Sequence, residues 1–263
     1  MRAVQSNPLL SPAIETPRAA LAVGAHPDDI EFHCGATLAK WAASGTAIHL
    51  VVCTDGSKGT WDVDADTDAL IARRQDEQGE AARRIHPTAT VDSLGQVDGE
   101  LVATVDLRGE LARLIRQYQP DVVFGHDPWR RWRMHPDHRA AGFLTVDAVV
   151  AARDPHYHRD HMTDGLSHHR PHSLLLFECE EPNYAEPIDD THLDAKVAAL
   201  LAHESQYETT MHIDGNDDGA QRAAFEERTR AVARDHAQSL TDGDDTDPDT
   251  DWAEAFRWMD PAS

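Results

Sequence analysis

Short apolar runs and longer amphipathic stretches alternate along this chain. The apolar runs have the length and composition of buried strands, and they cover residues 19–24, 48–53, 90–94, 121–125 and 173–178. Stretches with helical periodicity lie between and after them, and they end at Ser44 or cover residues 69–85, 105–118, 135–153 and 191–206. This repeated strand–helix wiring predicts an α/β fold, a single Rossmann-like domain with a mainly parallel sheet and helices on both faces.

One domain accounts for most of the chain, because 263 residues lie near the upper end of what a single hydrophobic core organises. We predict an N-terminal extension over residues 1–18, the α/β domain over 19–240, and an acidic linker with a C-terminal docking segment over 241–263. Docking is expected because two tryptophans and other large apolar side chains follow the linker. Residues 154–172, rich in His and Arg, are predicted to form a surface insertion.

The charge balance narrows the set of partners. Lys and Arg total 24 against 47 Asp and Glu, for a net charge of -23, which argues against nucleic acid and anionic membrane surfaces. The N-terminal stretch lacks the continuous apolar core of a signal peptide, and no later run is long enough to span a bilayer. The cysteines, Cys34, Cys53 and Cys179, are widely spaced, as expected for a reducing compartment without disulfides. We therefore expect a soluble, cytoplasmic protein.

Two His-Pro-Asp motifs carry the strongest chemical signal. One begins at His26 and the other at His135, and each follows a predicted strand and opens a predicted helix. Proline is favoured at the first helical position, and the helix dipole stabilises acidic side chains in the first turn. In a doubly wound sheet the carboxyl ends of the first and fourth strands can be neighbours, so we expect both motifs to face one crevice.

The residues of the two motifs suit a zinc site. His26, Asp29 and His138 offer two imidazole nitrogens and a carboxylate, a set of three ligands that leaves a fourth position for water. Zinc lowers the pKa of such a water to about 7, and Asp28 is the candidate general base that takes its proton. The competing interpretation is that each motif is a plain helix cap with an exposed histidine.

Longer stretches around these motifs match a known family. They are Ala25 to Glu31 with Cys34 and Gly35, then Thr54 to Gly56, and then His135 to His138. Smaller features are Arg74 to Glu77, Asp98, Glu181 to Asn183, and Lys196 with Ala202 to Gln206. From about Ala19 to about Trp258 the chain resembles the LmbE/PIG-L family of zinc-dependent, N-acetylglucosaminyl de-N-acetylases.

The resemblance implies a role for the motif residues. It makes His26, Asp29 and His138 the zinc ligands and Asp28 the catalytic base. It also gives His135 the task of polarising the substrate carbonyl or stabilising the oxyanion. The expected activity is therefore hydrolysis of an amide.

Three further residues complete the implied site. Asp137 is expected to orient His135 and to keep it charged. Arg74 and Asp98 match family positions that lie toward the sugar, so the resemblance implies that they bind substrate hydroxyls. The alternative for Arg74 is an exposed i,i+3 helix pair with Glu77.

Other residues allow two interpretations. Trp129 or Trp132, in a basic loop before the second motif, either stacks on a sugar ring or packs locally. The histidines of residues 154–172 are expected to bind metal only adventitiously, because their spacing is loose. His33 and Ala36 stand where the family commonly has glycines, so the approach of backbone or substrate there is expected to differ.

The predicted function is removal of the N-acetyl group from an N-acetylglucosamine-type amino sugar or its conjugate, by zinc-hydroxide attack with Asp28 as general base. The partner is then a small amino-sugar molecule and the cofactor Zn2+, although Fe2+ fits similar ligand sets. The sequence leaves a homo-oligomer open. One alternative is an amidase that cleaves an internal amide of a thiol-sugar conjugate, and another is a metal-binding or sugar-binding module without turnover. A nucleotide-binding protein fits least, because the first turn is anionic where a phosphate would lie.

The excess of acidic residues predicts adaptation to high salt. Lys occurs only at positions 40, 58 and 196, whereas Asp is spread along the chain. We expect folding and activity to improve from low to molar salt, because screening weakens the repulsion between like charges. Thermal unfolding and turnover measured across this range check the prediction, and full stability without salt would contradict it.

Overall fold

The computed structural model describes residues 14–241 and 251–262, so residues 1–13 of the predicted extension and 242–250 of the predicted linker lie outside it. Within the described residues one seven-stranded sheet runs through the molecule. Its strands are β1 (Ala19–Gly24), β2 (Ala47–Thr54), β3 (Thr90–Gln96), β4 (Val122–His126), β5 (Ser173–Phe177), β6 (Tyr184–Ile188) and β7 (Trp252–Met259). Their order is β3-β2-β1-β4-β5-β7-β6, and β7 runs antiparallel to both of its neighbours. The sheet is therefore mainly parallel, as predicted.

Helices cover both faces of this sheet. They are α1 (Asp29–Ala43), α2 (Thr67–Ile85), α3 (Val105–Tyr118), α4 (Pro136–Arg153), α5 (Asp160–Thr163), α6 (Asp190–Leu200) and α7 (Ala220–Thr241). One face packs under α1 and α2 through a core that includes Trp41 and Phe124, and the other packs under α3 and α4 through Leu111 and Leu144. In the part of the chain described, no helix is long and apolar enough to cross a membrane. The predicted fold class, a single Rossmann-like α/β domain, is confirmed.

Three elements differ from the predicted pattern. The helix predicted over 191–206 ends at Leu200, and a 3₁₀ turn (Glu204–Gln206) and a π turn (Tyr207–Met211) follow it. The pattern does not predict β6, because Pro187 within it removes a backbone donor, but β6 lies at the edge of the sheet, where proline is tolerated. The pattern also does not predict α7, in which charged and polar residues dominate and leave no clear apolar stripe.

The C-terminal segment returns to the sheet as β7, between β5 and β6. Its Glu254 is buried and accepts hydrogen bonds from the N–H groups of Ala36 and Thr37 in α1, at 3.3 and 2.7 Å. The ammonium of Lys196 in α6 lies 2.6 Å from the same carboxylate. Because a buried carboxylate is tolerated only with such partners, this residue fixes β7 to two helices as well as to its neighbouring strands.

Strands β1 and β4 are neighbours at the centre of the sheet. β1 pairs in parallel with β2 on one side and with β4 on the other, where Leu21 lies opposite Val123. The chain turns to opposite sides of the sheet at this point, and α/β proteins form their binding crevice at such a switch. The loops after β1, β2, β3 and β4 leave the same edge, so both His-Pro-Asp motifs face one crevice.

One buried side chain connects the His- and Arg-rich segment 154–172 to the domain. Arg116 in α3 is 1% exposed. Its guanidinium donates, at 2.8 to 3.2 Å, to the carbonyls of Ala151, Ala152, Asp154, Tyr157 and His158. It also donates to Nδ1 of His161 at 2.9 Å. His158, Asp160 and His161 bring potential ligand atoms within 4.8 Å of one another, but the guanidinium beside them disfavours a second cation.

Arg116→Ala is expected to lower the free energy of unfolding by about 3 kcal/mol, because several buried carbonyls lose their donor. Arg113→Ala is the matched control, since Arg113 lies in the same helix and pairs with Asp164 of the same segment near the surface. Its loss should cost less than about 1 kcal/mol. Equilibrium denaturation measures both, and equal effects would contradict the role given to Arg116.

Candidate functional site

A cavity of about 450 Å³ opens at the carboxyl edge of the sheet. The first motif contributes His26, Asp28 and Asp29 to its wall, and the second contributes His135 and His138. The three residues from the first motif are buried, whereas the two histidines from the second are more exposed. The two motifs, which lie more than a hundred residues apart in sequence, therefore form one site.

The first motif does not begin its helix as predicted. α1 begins at Asp29, two residues after Pro27, and Asp28 has the left-handed φ of 106° that favours glycine. Two side chains of α2 hold this turn: Gln78 Oε1 accepts from the Asp28 N–H at 3.1 Å, and Arg74 Nη2 donates to the Pro27 carbonyl at 2.6 Å. The prediction of proline at the first helical position is wrong here, because these tertiary hydrogen bonds stabilise a turn between the proline and the helix.

The second motif begins its helix as predicted. α4 starts at Pro136, and His135 caps it, since its Nδ1 accepts from the Asp137 N–H at 3.3 Å. His138 follows in the first turn, and its ring centroid lies 4.9 Å from that of His135. The rigid start of the helix therefore directs both imidazoles into the cavity.

The three predicted metal ligands meet around the Asp29 carboxylate. Its Oδ2 lies 3.4 Å from His26 Nδ1, and its Oδ1 lies 3.4 Å from His138 Nε2. Potential ligand atoms lie within 4.8 Å of one another in three overlapping sets: His26, His135 and His138; Asp29, His126 and His138; and His26, Asp98 and Asp137. The predicted ligands are divided between the first two of these sets. Imidazole nitrogens with a carboxylate oxygen are donors that zinc and similar ions prefer. The residues present therefore fit a divalent metal ion.

Negative charge is concentrated around His26. Its Nε2 lies 3.2 Å from Asp137 Oδ2 and 3.3 Å from Asp98 Oδ1, while its Nδ1 faces Asp29. Burial by itself lowers the pKa of His26, but hydrogen bonds to Asp137, Asp29 and Asp98 raise it to about 12. Carboxylates this close to one another favour a positive charge among them, and a divalent metal ion meets that requirement.

Asp28 lies beside this cluster and faces the cavity. Its carboxylate does not cap the helix that follows it, and its Oδ2 lies 3.7 Å from Arg74 Nη2. Burial raises the pKa of Asp28 to about 6, although the charge of Arg74 acts in the opposite direction. A carboxyl group with a pKa near neutrality can both accept and return a proton.

Asp137 has a partner that we did not expect. Its Oδ2 accepts from the Gly99 N–H at 2.6 Å and contacts His26, and its Oδ1 accepts from the Leu101 N–H at 3.2 Å. The carboxylate thus connects the loop after β3 to the site, whereas we expected it to contact and charge His135. Burial, followed by the charge of His26, lowers the pKa of His135. The ring of His135 is therefore favoured in its neutral form.

Arg74 and Asp98, which we expected to lie toward the sugar, both line the cavity. Arg74 is 2% exposed and donates to two backbone carbonyls, so the alternative of an exposed helix pair with Glu77 is wrong. Asp98 accepts from the Lys58 N–H at 3.1 Å in addition to its contact with His26. Arg74 thus supports the first motif, and Asp98 presents carboxylate oxygens close to the metal-binding residues.

Two residues that the sequence did not predict, His126 and Glu178, contact the predicted metal ligands. His126 ends β4, and its Nε2 lies 3.2 Å from Asp29 Oδ2. Glu178 follows β5 and accepts from His126 Nδ1 at 3.0 Å. Burial by itself would raise the pKa of Glu178, but the neighbouring histidines, His33 foremost, lower it well below its usual range. Their position in the sequence was the available signal, because His126 ends one apolar strand and Glu178 directly follows another, at the edge that carries the motifs.

Trp61, in the loop after β2, lines the cavity. Trp129 and Trp132 are not among the described residues that line it. Trp129 packs against Phe143 with ring centroids 6.0 Å apart, which agrees with the local-packing interpretation. Trp132 is 89% exposed, and Trp61 is 75% exposed. An exposed aromatic surface is therefore present at the cavity, but it comes from a different loop.

The sequence of this chain is similar to those of known deacetylases. The GlcNAc-PI de-N-acetylase (PIG-L) family model matches residues 21–149, a range that contains both motifs. The chain is 35% identical over 187 residues to the diacetylchitobiose deacetylase of Thermococcus kodakarensis. The aligned region covers 71% of this chain and 69% of that protein.

Two further proteins extend the comparison. A 1D-myo-inositol 2-acetamido-2-deoxy-alpha-D-glucopyranoside deacetylase of Mycobacteroides abscessus is 30% identical over 250 residues, which cover 79% of this chain and 86% of that protein. The solved structure of the N,N'-diacetylchitobiose deacetylase of Pyrococcus horikoshii with its inhibitor MPG superposes with a TM-score of 0.79 at 28% identity. That superposition covers 94% of this chain and 85% of the other.

Gln78→Met is expected to lower the free energy of unfolding by about 2 kcal/mol. The substitution removes the acceptor of the buried Asp28 N–H and the donor that lies 2.6 Å from the buried Glu31 carboxylate, which then keeps only His203 Nε2 at 3.6 Å among these contacts. Gln75→Met, on the exposed face of the same helix, is the matched control and should cost less than about 0.5 kcal/mol. Equilibrium denaturation compares them, and wild-type stability of Gln78→Met would show that the turn at Asp28 does not depend on this bond.

Proposed function

Because the chain belongs to the GlcNAc-PI de-N-acetylase (PIG-L/LmbE) family of deacetylases, we propose that it hydrolyses the N-acetyl group of an N-acetylglucosamine-type amino sugar or its conjugate. One observation carries the proposal: the His26, Asp29 and His138 donor set and the separate Asp28 carboxylate share one cavity. A binding site alone needs no such carboxylate, whereas amide hydrolysis needs a group that moves protons. The substrate is a small molecule, in keeping with the size of the cavity.

We propose zinc as the cofactor, held by His26, Asp29 and His138. When bound, zinc supplies Lewis acidity that polarises the amide carbonyl and makes water a better nucleophile at neutral pH. The distances of 3.4 Å from the Asp29 carboxylate to both imidazoles support this ligand set. His126 contacts this ligand set, since its Nε2 lies 3.2 Å from Asp29 Oδ2.

Asp28 acts as the general base in this proposal. It takes a proton from the attacking water and returns it to the departing amine, and its raised pKa of about 6 suits both steps. The buried Arg74 guanidinium, 3.7 Å from Asp28 Oδ2, orients the carboxylate without neutralising it. The left-handed turn at Asp28 directs the side chain into the cavity rather than onto the helix terminus.

His135 stabilises the oxyanion as a neutral donor. Its Nδ1 accepts from the Asp137 N–H, so the proton of the neutral ring lies on Nε2. The lowered pKa of His135 favours that neutral form. We therefore propose an imidazole donor where the sequence suggested an imidazolium. Asp137 contributes indirectly, through its contact with His26 and with the loop after β3.

Asp98 is the residue that we propose for binding a sugar hydroxyl. It lines the cavity within 3.3 Å of His26, so a ring held there places its N-acetyl group near the metal ligands. Arg74 contributes to the same site by holding its loops, because its guanidinium donates hydrogen bonds to the carbonyls of Pro27 and Gly56.

Asp28→Asn and His138→Ala are expected to reduce amide hydrolysis by at least about 10²-fold, because the first removes the base and the second a metal ligand. Release of acetate from N,N'-diacetylchitobiose and from N-acetylglucosamine by zinc-loaded protein measures the effect. Metal analysis of the purified protein accompanies it, and His138→Ala should hold less zinc than the wild type, whereas Asp28→Asn should hold as much.

The matched controls are Asp147→Asn and His156→Ala, which change the same residue types at exposed positions that do not line the cavity. Both should keep wild-type turnover. Near-normal turnover of Asp28→Asn and His138→Ala would refute the assignment.

The products separate the proposed reaction from its alternatives. Acetate release identifies a deacetylase, whereas release of an amine without acetate from a thiol-sugar conjugate identifies an amidase. Binding of an acetylated sugar without any product would identify a module that does not turn over.

A further inference from the structure

Glu178, which directly follows β5, has a left-handed backbone with a φ of 56°. Residues with a large side chain rarely adopt this region, because the Cβ atom crowds the backbone. Such residues persist where surrounding contacts hold them, and they occur preferentially at functional sites. The contacts that hold Glu178 come from its carboxylate.

That carboxylate lies among imidazole and guanidinium groups from four parts of the fold: α1, the end of β4, the loop after β4, and α4. Its Oε2 lies near three imidazoles, at 3.0 Å from His126 Nδ1, 3.4 Å from His33 Nε2 and 3.6 Å from His138 Nδ1. Two guanidinium groups also donate to the carboxylate: Arg133 Nη1 to Oε2, and Arg130 Nη1 to Oε1 at 3.2 Å. The Glu178 side chain is 16% exposed, so these groups replace most of its water. Its partners include one proposed metal ligand and a neighbour of another.

The carboxylate contacts one proposed ligand, His138, and it contacts His126, which lies against another, Asp29. His138 presents Nε2 to Asp29 Oδ1 and Nδ1 to Glu178 Oε2. His126 donates from Nδ1 to Glu178, and its Nε2 contacts Asp29 Oδ2. A histidine that binds a metal through Nε2 carries its proton on Nδ1, and a carboxylate is a common acceptor for that proton.

Arg133 competes for the same nitrogen. Its Nη1 lies 2.8 Å from His138 Nδ1, and a guanidinium can only donate a hydrogen bond. An Nδ1 that accepts from Arg133 leaves the ring proton on Nε2, the nitrogen that faces Asp29. Glu178 and Arg133 therefore favour opposite tautomers of His138.

We propose that Glu178 is a positioning residue of the metal site: it holds His138 in the tautomer and orientation that bind the metal, and it holds the ring of His126 against Asp29. The inference rests on the proposed function, because it takes His138 and Asp29 as ligands. Glu178 itself is not among the described residues that line the catalytic cavity, so its effect on the reaction is exerted through the ligands.

The test compares Glu178→Gln with Glu180→Gln, a matched change two residues away whose carboxylate pairs with Arg131 near the surface. Zinc affinity is measured by competition with a chromogenic chelator, and thermal unfolding is followed with and without zinc. Glu178→Gln should bind zinc about 10- to 100-fold more weakly and gain less thermal stability from it. Glu180→Gln should match the wild type in both measurements.

Two further variants separate positioning from a general structural role. Glu178→Gly suits the left-handed backbone and should show the same loss of zinc affinity, which keeps the test valid if Glu178→Gln does not fold. Arg133→Met removes the competing donor and should not weaken zinc binding. At saturating zinc, Glu178→Gln should lower kcat and leave KM for the acetylated sugar unchanged.

Wild-type zinc affinity in Glu178→Gln or Glu178→Gly would overturn the inference, as would an equal loss of affinity in Arg133→Met. If the wild type itself binds no zinc, the proposed function fails instead. Zinc binding by the wild type with no change in the Glu178 variants refutes only the positioning role.

Discussion

The parallel pairing of β1 with β4 is the constraint on which the site depends. It places residues about a hundred positions apart in register, with Leu21 opposite Val123, and it brings the two loops that follow these strands to one edge. Side chains from both loops then lie within reach of one carboxylate, that of Asp29. Without this pairing each His-Pro-Asp motif would be a helix start with little chemistry of its own.

Bringing carboxylates together in a buried crevice is unfavourable, and the structure offsets this through hydrogen bonds from the protein. Asp137 takes two backbone N–H groups from the loop after β3, and Asp98 takes one from Lys58. Arg74, a buried residue at the wall of the cavity, adds a positive charge beside Asp28. The remaining positive charge beside these carboxylates comes from protonated histidines, and a bound metal ion would supply that charge in place of the protons.

Histidine and arginine serve different purposes in different parts of this acidic chain. In the crevice, the imidazoles of His126 and His138 contact carboxylates and offer ligand atoms. In segment 154–172, by contrast, His161 accepts from Arg116, whose guanidinium also satisfies carbonyls at the end of α4. In that segment His161 therefore helps to fix residues 154–172 to α3 and α4.

The sequence alone determined the parallel α/β architecture, most helix and strand positions, and the two motifs, because hydrophobic periodicity and proline are local signals. The edge strand with Pro187, the turn at Asp28, the partner of Asp137 and the roles of His126 and Glu178 were decided only by the tertiary structure. Each depends on a hydrogen bond or a strand pairing between residues distant in sequence, and no local pattern encodes such a contact. Residue type and spacing thus predicted which groups could do chemistry, while packing decided which atoms face one another.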